Sequence, residues 1–435
     1  MRDKYIGFNK NADAAPARKV GDKVIQPEKE IPVLAETDVL ILGGGPSGFV
    51  AAVAAARQGV KVTLAERYGH LGGLATGGLV LYLDGYWDGE CSVVRGIGSE
   101  IADQLEEMGG ITRPGPGRDG TADPELLKYL ALKMVRDSGV DLILHCWAFE
   151  AIANDGNVQG AITLSKSGRQ AILAKVVIDA TGDGDIFASA GAAFHEAQRG
   201  IGLPFRMGGV DTEKARQFQK ENSQKYKELM DEVRSRGGFT GIGAPAVHHG
   251  VIWWNNWGNV LDALDVTHLT RAEIEAREAI MTTVTFLKEN LPGFENSFLL
   301  ETAPQLGVRE SRLLVGEYTL THDDITRYAT FDDVIAHFGI LFERKGNGFD
   351  VPYRCLIPKE VNSLIATGRC ISTDHPVQDH IRVIPKCFAL GHAAGTAAGL
   401  AVKAGIQPRN IDISDLQKQL MRESAYLGDT HRGGS

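Results

Sequence analysis

The pattern of apolar and polar positions changes abruptly near Glu36. Residues 1–30 are polar and aperiodic and read as an N-terminal arm. TDVLILGGGPSG (37–48) is an apolar, β-rich run that ends in a glycine cluster. FVAAVAAARQG then reads as an Ala-rich helix closed by Gly59, and VKVTLAE (60–66) as a second strand. A strand, a helix and a strand within about 30 residues predict a βαβ unit, the start of a parallel sheet.

Further along, 97–138 predicts helix interrupted by the turn-rich RPGPGRDG (113–120). Residues 140–152 predict strands, Asp155-Gly156 a hairpin turn, and 158–182 more strands. Residues 211–236 read as one charged helix and 270–290 as a long helix. Near 349–402 the first idiom returns: strand-like LIATGRCIS, a loop, then the Ala/Gly-rich helix CFALGHAAGTAAGLAVKAG. The stretch 196–348 therefore looks like an insertion between two parts of one nucleotide-binding domain. The expected division is an arm (1–30), a discontinuous domain (31–195 plus 349–410), the insertion (196–348), and a C-terminal helix and tail (411–435).

Composition narrows the class. Gly makes up 52 of the 435 residues, about 12% against an average near 7%, with no G-X-Y period. The clusters predict loops where backbone approaches something closely. The net charge of −9, with no basic run, argues against nucleic acid as a partner. No 18-residue uncharged apolar window occurs, so no membrane span is expected. The N-terminus lacks an apolar signal core. Five isolated cysteines without a C-x-x-C fit neither a disulfide framework, nor a zinc ribbon, nor iron–sulfur ligation, and no metal is expected. A reducing cytoplasm is the default.

Gly43-Gly44-Gly45-Pro46-Ser47-Gly48 matches G-x-G-x-x-G between a predicted strand and a predicted helix, the context a dinucleotide loop needs. The first glycine permits the turn, the second admits a pyrophosphate, and the third lets helix pack on strand. The helix N-terminus offers N–H groups to the anion. Glu66 ends the next strand, 18 residues after Gly48, where a carboxylate can accept from ribose hydroxyls. The motif alone leaves FAD and NAD open. FAD is favoured by a second glycine loop, GHLGGLATGG (69–78), by DATGDGD (179–185) after a distant strand, and by the lack of a second G-x-G-x-x-G in context.

With PGFENSFLLETAPQLGVRESRLLVGEYTLT (292–321), VPYRCLIPKEVNSLIATGRCIS (351–372) and IRVIPKCFALGHAAGTAAGLA (381–401), these motifs resemble the FAD-dependent oxidoreductases of the glutathione-reductase-like superfamily. The branch is the one related to fumarate reductase and succinate dehydrogenase flavoproteins. The resemblance runs from about Val24 to Ala404. It implies an α/β fold: a Rossmann-like FAD-binding domain, with a parallel sheet, helices and a β-meander, carrying an inserted α+β substrate or cap domain. It further implies that Gly43, Gly45, Pro46, Ser47 and Gly48 hold the pyrophosphate, and Glu66 and Arg67 the adenosine ribose. Gly72, Gly73 and Thr76 would run beside the ribityl chain and ring, and Ala148 would present backbone to adenine. Thr181, Gly182 and Asp183 would meet the pyrophosphate and ribityl hydroxyls, Gly368 and Arg369 would close over the cofactor, and Arg382 and Val383 would face the pyrimidine end. Leu74 stands where relatives carry a flavin-linking His, so the FAD is expected to be non-covalent.

The expected reaction is two-electron oxidation or reduction of a small organic substrate, anionic or ring-bearing. Arg382 with Arg309 would orient it, and His375 or His380, in a loop beside Arg382, would handle the proton. Arg312 and Arg354 are further anion-binding candidates, against a structural role in an Arg–Glu network. The His248–Trp257 segment and Tyr82, Tyr86 and Trp87 could line a pocket or a core. Cys370 and Cys387 read as packing groups. Rival readings are a subunit of an electron-transfer complex, a tRNA-modifying relative, and a protein in which FAD is structural. Homo-oligomerisation is expected on general grounds only.

Overall fold

The computed structural model describes residues 16–28, 30–88, 90–113, 119–340 and 348–428. The first half of the arm, residues 114–118 of the expected turn, and the tail from 429 lie outside the described residues. What is described of the arm includes a hairpin, Arg18–Val20 against Lys23–Ile25, exposed throughout.

The βαβ unit forms as its pattern predicts. The strand Val33–Leu42 leads into the helix Pro46–Arg57, and the chain returns as the parallel strand Val62–Ala65. Asp141–Ile143 extends the sheet on one side. On the other, Gly168–Asp179 runs parallel to the first strand. Its first half also pairs antiparallel with Asn157–Ser165, which pairs in turn with Trp147–Asn154. That meander turns at Asp155 and Gly156, both at positive φ. The end of Gly168–Asp179 receives Leu364–Ala366 in parallel, in the register Val177 to Leu364, Ile178 to Ile365 and Asp179 to Ala366. A strand from far along the chain thus completes the sheet beside the phosphate loop.

The glycine excess has a packing cause. The helix Ile384–Ala404 crosses the helix Pro46–Arg57, and glycines recur along it every four residues. A Cβ at Gly391 would lie 2.1 Å from the Ser47 carbonyl oxygen, one at Gly395 2.2 Å from that of Ala51, and one at Gly399 2.6 Å from Gln58. The two backbones therefore touch, and residues 47–55 of the first helix are all buried.

The described residues of 196–348 add no strand to this sheet. They carry their own four-stranded sheet, in the order Ala244–Pro245, Ile252–Trp254, Phe205–Gly208, Phe298–Thr302. It packs with the helix Val266–Asn290 over a separate core that includes Phe205, Trp253, Trp254 and Phe286. Two sequence expectations change here. The single charged helix is two, Thr212–Glu221 and Ser223–Ser235, because Asn222 leaves the helical region at φ −123°, ψ 45°. The expected 374–380 loop is a short helix, His375–Ile381. Asp374 caps it by accepting from the Val377 amide, and Pro376 sits in its first turn. Asp followed closely by Pro is a helix-start signal.

Candidate functional site

The phosphate loop is shaped by its glycines. Gly43 has φ +99°, and a Cβ there would lie 2.5 Å from the Ala180 carbonyl oxygen. A Cβ at Gly48 would strike the Gly43 carbonyl, whereas Gly45 faces open space. Gly45 is also the N-cap of the helix Pro46–Arg57 and makes no side-chain cap bond. The first N–H groups of that helix are left for a ligand.

The second glycine loop docks on the first. The Gly72 amide donates to the Gly44 carbonyl at 2.8 Å, and a Cβ on Gly73 would lie 2.8 Å from the Gly45 Cα. Thr76 is fully buried, and its hydroxyl donates to the Leu71 carbonyl at 2.7 Å. Glu66 ties both to the sheet, accepting from the Gly44 amide at 2.5 Å and the Tyr68 amide at 2.8 Å. Burial pushes its carboxyl up, and these amide bonds oppose the shift.

A cavity of about 810 Å³, solvent at its mouth included, opens over this loop. Thirteen of the expected cofactor residues line it: Gly43, Gly45, Pro46, Ser47, Glu66, Arg67, Gly73, Ala148, Thr181, Gly182, Gly368, Arg369 and Arg382. Gly48, Gly72, Thr76 and Asp183 stand behind the lining and hold it in place. The Asp183 carboxylate accepts from the Arg369 guanidinium and the Ser311 hydroxyl, both at 2.6 Å. Arg312 donates to the Asp183 carbonyl at 3.0 Å and to Asp185 at 2.9 Å. Arg312 thus joins the insertion to the DATGDGD segment, and Arg354 is paired with Asp333 away from both cavities.

A second cavity of about 900 Å³ adjoins the first. Leu74, Arg369, Arg382 and Ile384 line both. Val383 lines only the second, together with Tyr82, Asp84, Asn255, Asn256, Trp257 and Arg309. The His248–Trp257 segment is split by the fold: Trp253 and Trp254 are core, Trp254 stacking on Phe205, while 255–257 face the cavity. His248 is bonded to Asp123 at 3.0 Å. Tyr86 is core, its hydroxyl donating to the Gly98 carbonyl.

Arg309 lies on the Trp257 indole, its guanidinium carbon 3.0 Å from the ring centroid, and donates to the Gly200 carbonyl at 3.1 Å. Among the described residues no carboxylate pairs with it. Burial drives it down to about 9, the charges of Arg382 and Arg199 add to the shift, and Asp379 opposes it. Arg382 donates to Asp379 at 3.0 Å. Arg199 bridges Asp379 at 2.9 Å and the buried Glu310 at 3.0 Å, and Glu310 also holds His375. His375 and His380 line neither cavity: His375 is spent on Glu310, and His380 packs on the Phe349 ring. Cys387 lines the first cavity and its thiol is pushed up to about 12 by burial; burial raises the Cys370 thiol well above its ordinary value too. The chemistry of the first cavity fits an FAD: uncapped helix N–H groups at Gly45, a carboxylate at the end of the second strand, and backbone at Ala148.

The FAD dependent oxidoreductase family matches residues 38–420. The chain belongs to that family. FAD is therefore its cofactor. Thiamine thiazole synthase of Methanococcus vannielii is 30% identical over 161 residues, 34% of this chain and 57% of that relative's length. Pea (Pisum sativum) mitochondrial dihydrolipoyl dehydrogenase is 58% identical over 38 residues, 9% of this chain and 8% of its own. The chain thus spans little more than half of the one relative and a small part of the other. A geranylgeranyl bacteriochlorophyll reductase-like protein of Thermoplasma acidophilum shares the fold, with TM-score 0.51, 15% identity, and coverage of 90% of this chain and 84% of that one. Among the described residues no group of His, Cys, Asp and Glu could hold a metal ion, and no helix is long and apolar enough to cross a membrane.

Composition and spacing had signalled the first cavity through its glycines. They missed Asp84, Gln305 and Trp147. Asp84 follows the second glycine loop inside the apolar run LVLYLDGYW, a lone acid that periodicity leaves unexplained.

Proposed function

We propose that this FAD-dependent oxidoreductase oxidises or reduces a small organic substrate that carries an anionic group. FAD would occupy the first cavity and the substrate the second. When bound, FAD supplies a two-electron, hydride-type redox centre. Gly43, Gly45, Ser47 and the helix N-terminus would hold its pyrophosphate, with Thr181 and Gly182 beside it. Glu66 and Arg67 would hold the adenosine ribose, and the Ala148 backbone the adenine. Arg382, Val383 and the uncapped start of the helix Ile384–Ala404 would face the pyrimidine end. A helix N-terminus favours negative charge there by about 0.3–2 kcal/mol.

The observation that carries the reading is the wall shared by the two cavities: Leu74, Arg369, Arg382 and Ile384 border both. A redox group in one then abuts a substrate in the other. Arg309, buried and paired with no carboxylate among the described residues, would bind the substrate's anionic group, with Trp257 shielding it from water. The Arg199–Glu310–Asp379 network positions Arg382 and takes no part in proton transfer, and His375 and His380 fall outside the site.

The test is the visible spectrum of the purified protein, repeated on the supernatant after acid precipitation. Flavin bands that pass wholly to the supernatant are expected and mean non-covalent FAD. A colourless protein that takes up no added FAD would sink the reading. Anaerobic bleaching by a panel of carboxylates then tests the substrate class.

A further inference from the structure

Besides Arg309, the lining of the second cavity holds a second charged side chain that makes no ion pair among the described residues. Asp84 follows the short strand Tyr82–Leu83 and is half-buried in the lining. Gly85, at φ +98°, lets the turn lie on the start of the helix Ile384–Ala404: a Cβ there would be 3.1 Å from both the Lys386 Cε and the Val383 Cγ2. Asp84 thereby lines the second cavity beside the start of that helix.

Among the described residues no cation lies within ion-pair distance of the Asp84 carboxylate, and the neighbouring Gly85 amide favours its charged form. The nearest positive group behind it is Lys386. That side chain is 1% exposed, gives its ammonium to the Gly339 carbonyl at 2.6 Å, and lies over the rings of Phe338 and Phe349. Burial drives Lys386 down to about 7, with Asp84 and Asp119 opposing. Burial likewise pushes Asp84 up, and Lys386 opposes. Lys386 thus acts on Asp84 by charge, makes no ion pair with it, and gives its ammonium to Gly339. A carboxylate offers about four acceptor sites. Arg309 has five donors, and one is given to Gly200.

Buried charges are stable when paired. A carboxylate alone satisfies Arg309 but is repelled by Asp84. A molecule with both charges satisfies both groups and binds in one orientation only, since reversal sets like charges together. We propose that the second cavity takes a zwitterionic substrate, an amino acid in the broad chemical sense, with its carboxylate on Arg309 and its ammonium on Asp84. This deepens the reading of the second cavity as the substrate site and rests on it.

The experiment is calorimetric titration of the FAD-loaded protein with three probes of one skeleton, each racemic where chiral. Phenylglycine carries carboxylate and amine, mandelate carboxylate and hydroxyl, and phenylacetate carboxylate alone. Phenylglycine is expected to bind roughly tenfold or more tighter than phenylacetate, the range of a charge-assisted hydrogen bond, and tighter than mandelate. Asp84→Ala should remove that preference. Asp84→Asn, which keeps shape and an acceptor but no charge, should lower phenylglycine to the level of mandelate. Arg309→Met should weaken all three. Equal binding of the three probes by the wild type, with Arg309→Met still weakening them, would overturn the zwitterion proposal and leave the anion site standing. Failure of the wild type to bind any probe, or indifference to Arg309→Met, would overturn the substrate-site reading itself.

Discussion

The hydroxyl oxygens of Ser47 and Thr367 stand 2.6 Å apart in the interior, although 320 positions separate them in the chain. Ser47 belongs to the first turn of the phosphate-loop helix, and Thr367 follows the strand that returns to the sheet. Thr367→Val keeps the shape and leaves the buried Ser47 hydroxyl unpaired, at a cost of about 1–3 kcal/mol. Urea unfolding should show a lower midpoint, and equilibrium dialysis a weaker hold on FAD. An unchanged midpoint and unchanged FAD affinity would mean that the two segments are not energetically linked.

Gly395 lets the two central helices touch, because any Cβ there meets the Ala51 carbonyl. Gly395→Ala must push the helices apart, and overpacking of this kind costs about 1–3 kcal/mol. The expected result is a lower Tm with faster release of FAD. The same change at Gly405, whose added Cβ meets nothing within 4 Å, is the control: it acts through its positive φ alone and should leave FAD release untouched.

Glu66 organises two loops through backbone amides. Glu66→Ala removes both acceptors at once and is expected to weaken FAD binding roughly 10–100-fold, the worth of charge-assisted hydrogen bonds. Fluorescence of released flavin on dilution measures it. Glu66→Gln keeps one acceptor oxygen and should fall between.

Acid should find a specific weak point at the C-terminal helix. Glu423 accepts from His392 at 2.7 Å, Gln58 at 2.7 Å and Gln419 at 2.6 Å. Burial alone would raise its carboxyl, but these bonds outweigh it and hold the group down at about 2. A depressed acid stabilises the fold above its unfolded value and stops doing so as pH falls through its folded value. The contribution should be fully present above pH about 4.5 and lost between there and about 2. Glu423→Gln should cost about 1–3 kcal/mol at neutral pH and flatten the acid limb of the Tm-against-pH curve. A parallel downward shift at every pH would contradict the assignment.

How much of this was legible in the sequence depends on how local the cause is. The phosphate loop, the βαβ unit and the Asp155-Gly156 hairpin are set by short-range backbone needs, and their residues announce them. The Ala/Gly-rich helix Ile384–Ala404 was legible as a helix, while its partner was not, since contact with Ala51 is a tertiary fact. The arginines show the limit most clearly. Arg309 and Arg312 are three positions apart in one motif, yet Arg312 is consumed by Asp183 and Asp185 and Arg309 is left facing a cavity. The choice is made by the Asp183 carbonyl and the Asp185 carboxylate, more than 120 positions away. His375 and His380 sit close to Arg382 in sequence, but Asp374 winds them into a helix that turns His375 toward Glu310. Asp84 had no motif around it at all.

The interlocked glycine loops, the return strand and the crossing of the two helices have a temporal consequence. The wall of the FAD cavity is assembled from segments near residues 43, 66, 181 and 368–387, and the helix that buttresses it ends at Ala404. During synthesis the early βαβ unit emerges from the ribosome long before its buttress, with the apolar face of the Pro46–Arg57 helix uncovered. Cofactor capture is then a late event in the life of the nascent chain. A ribosome stalled before about residue 400 would present a phosphate loop with nothing to close it.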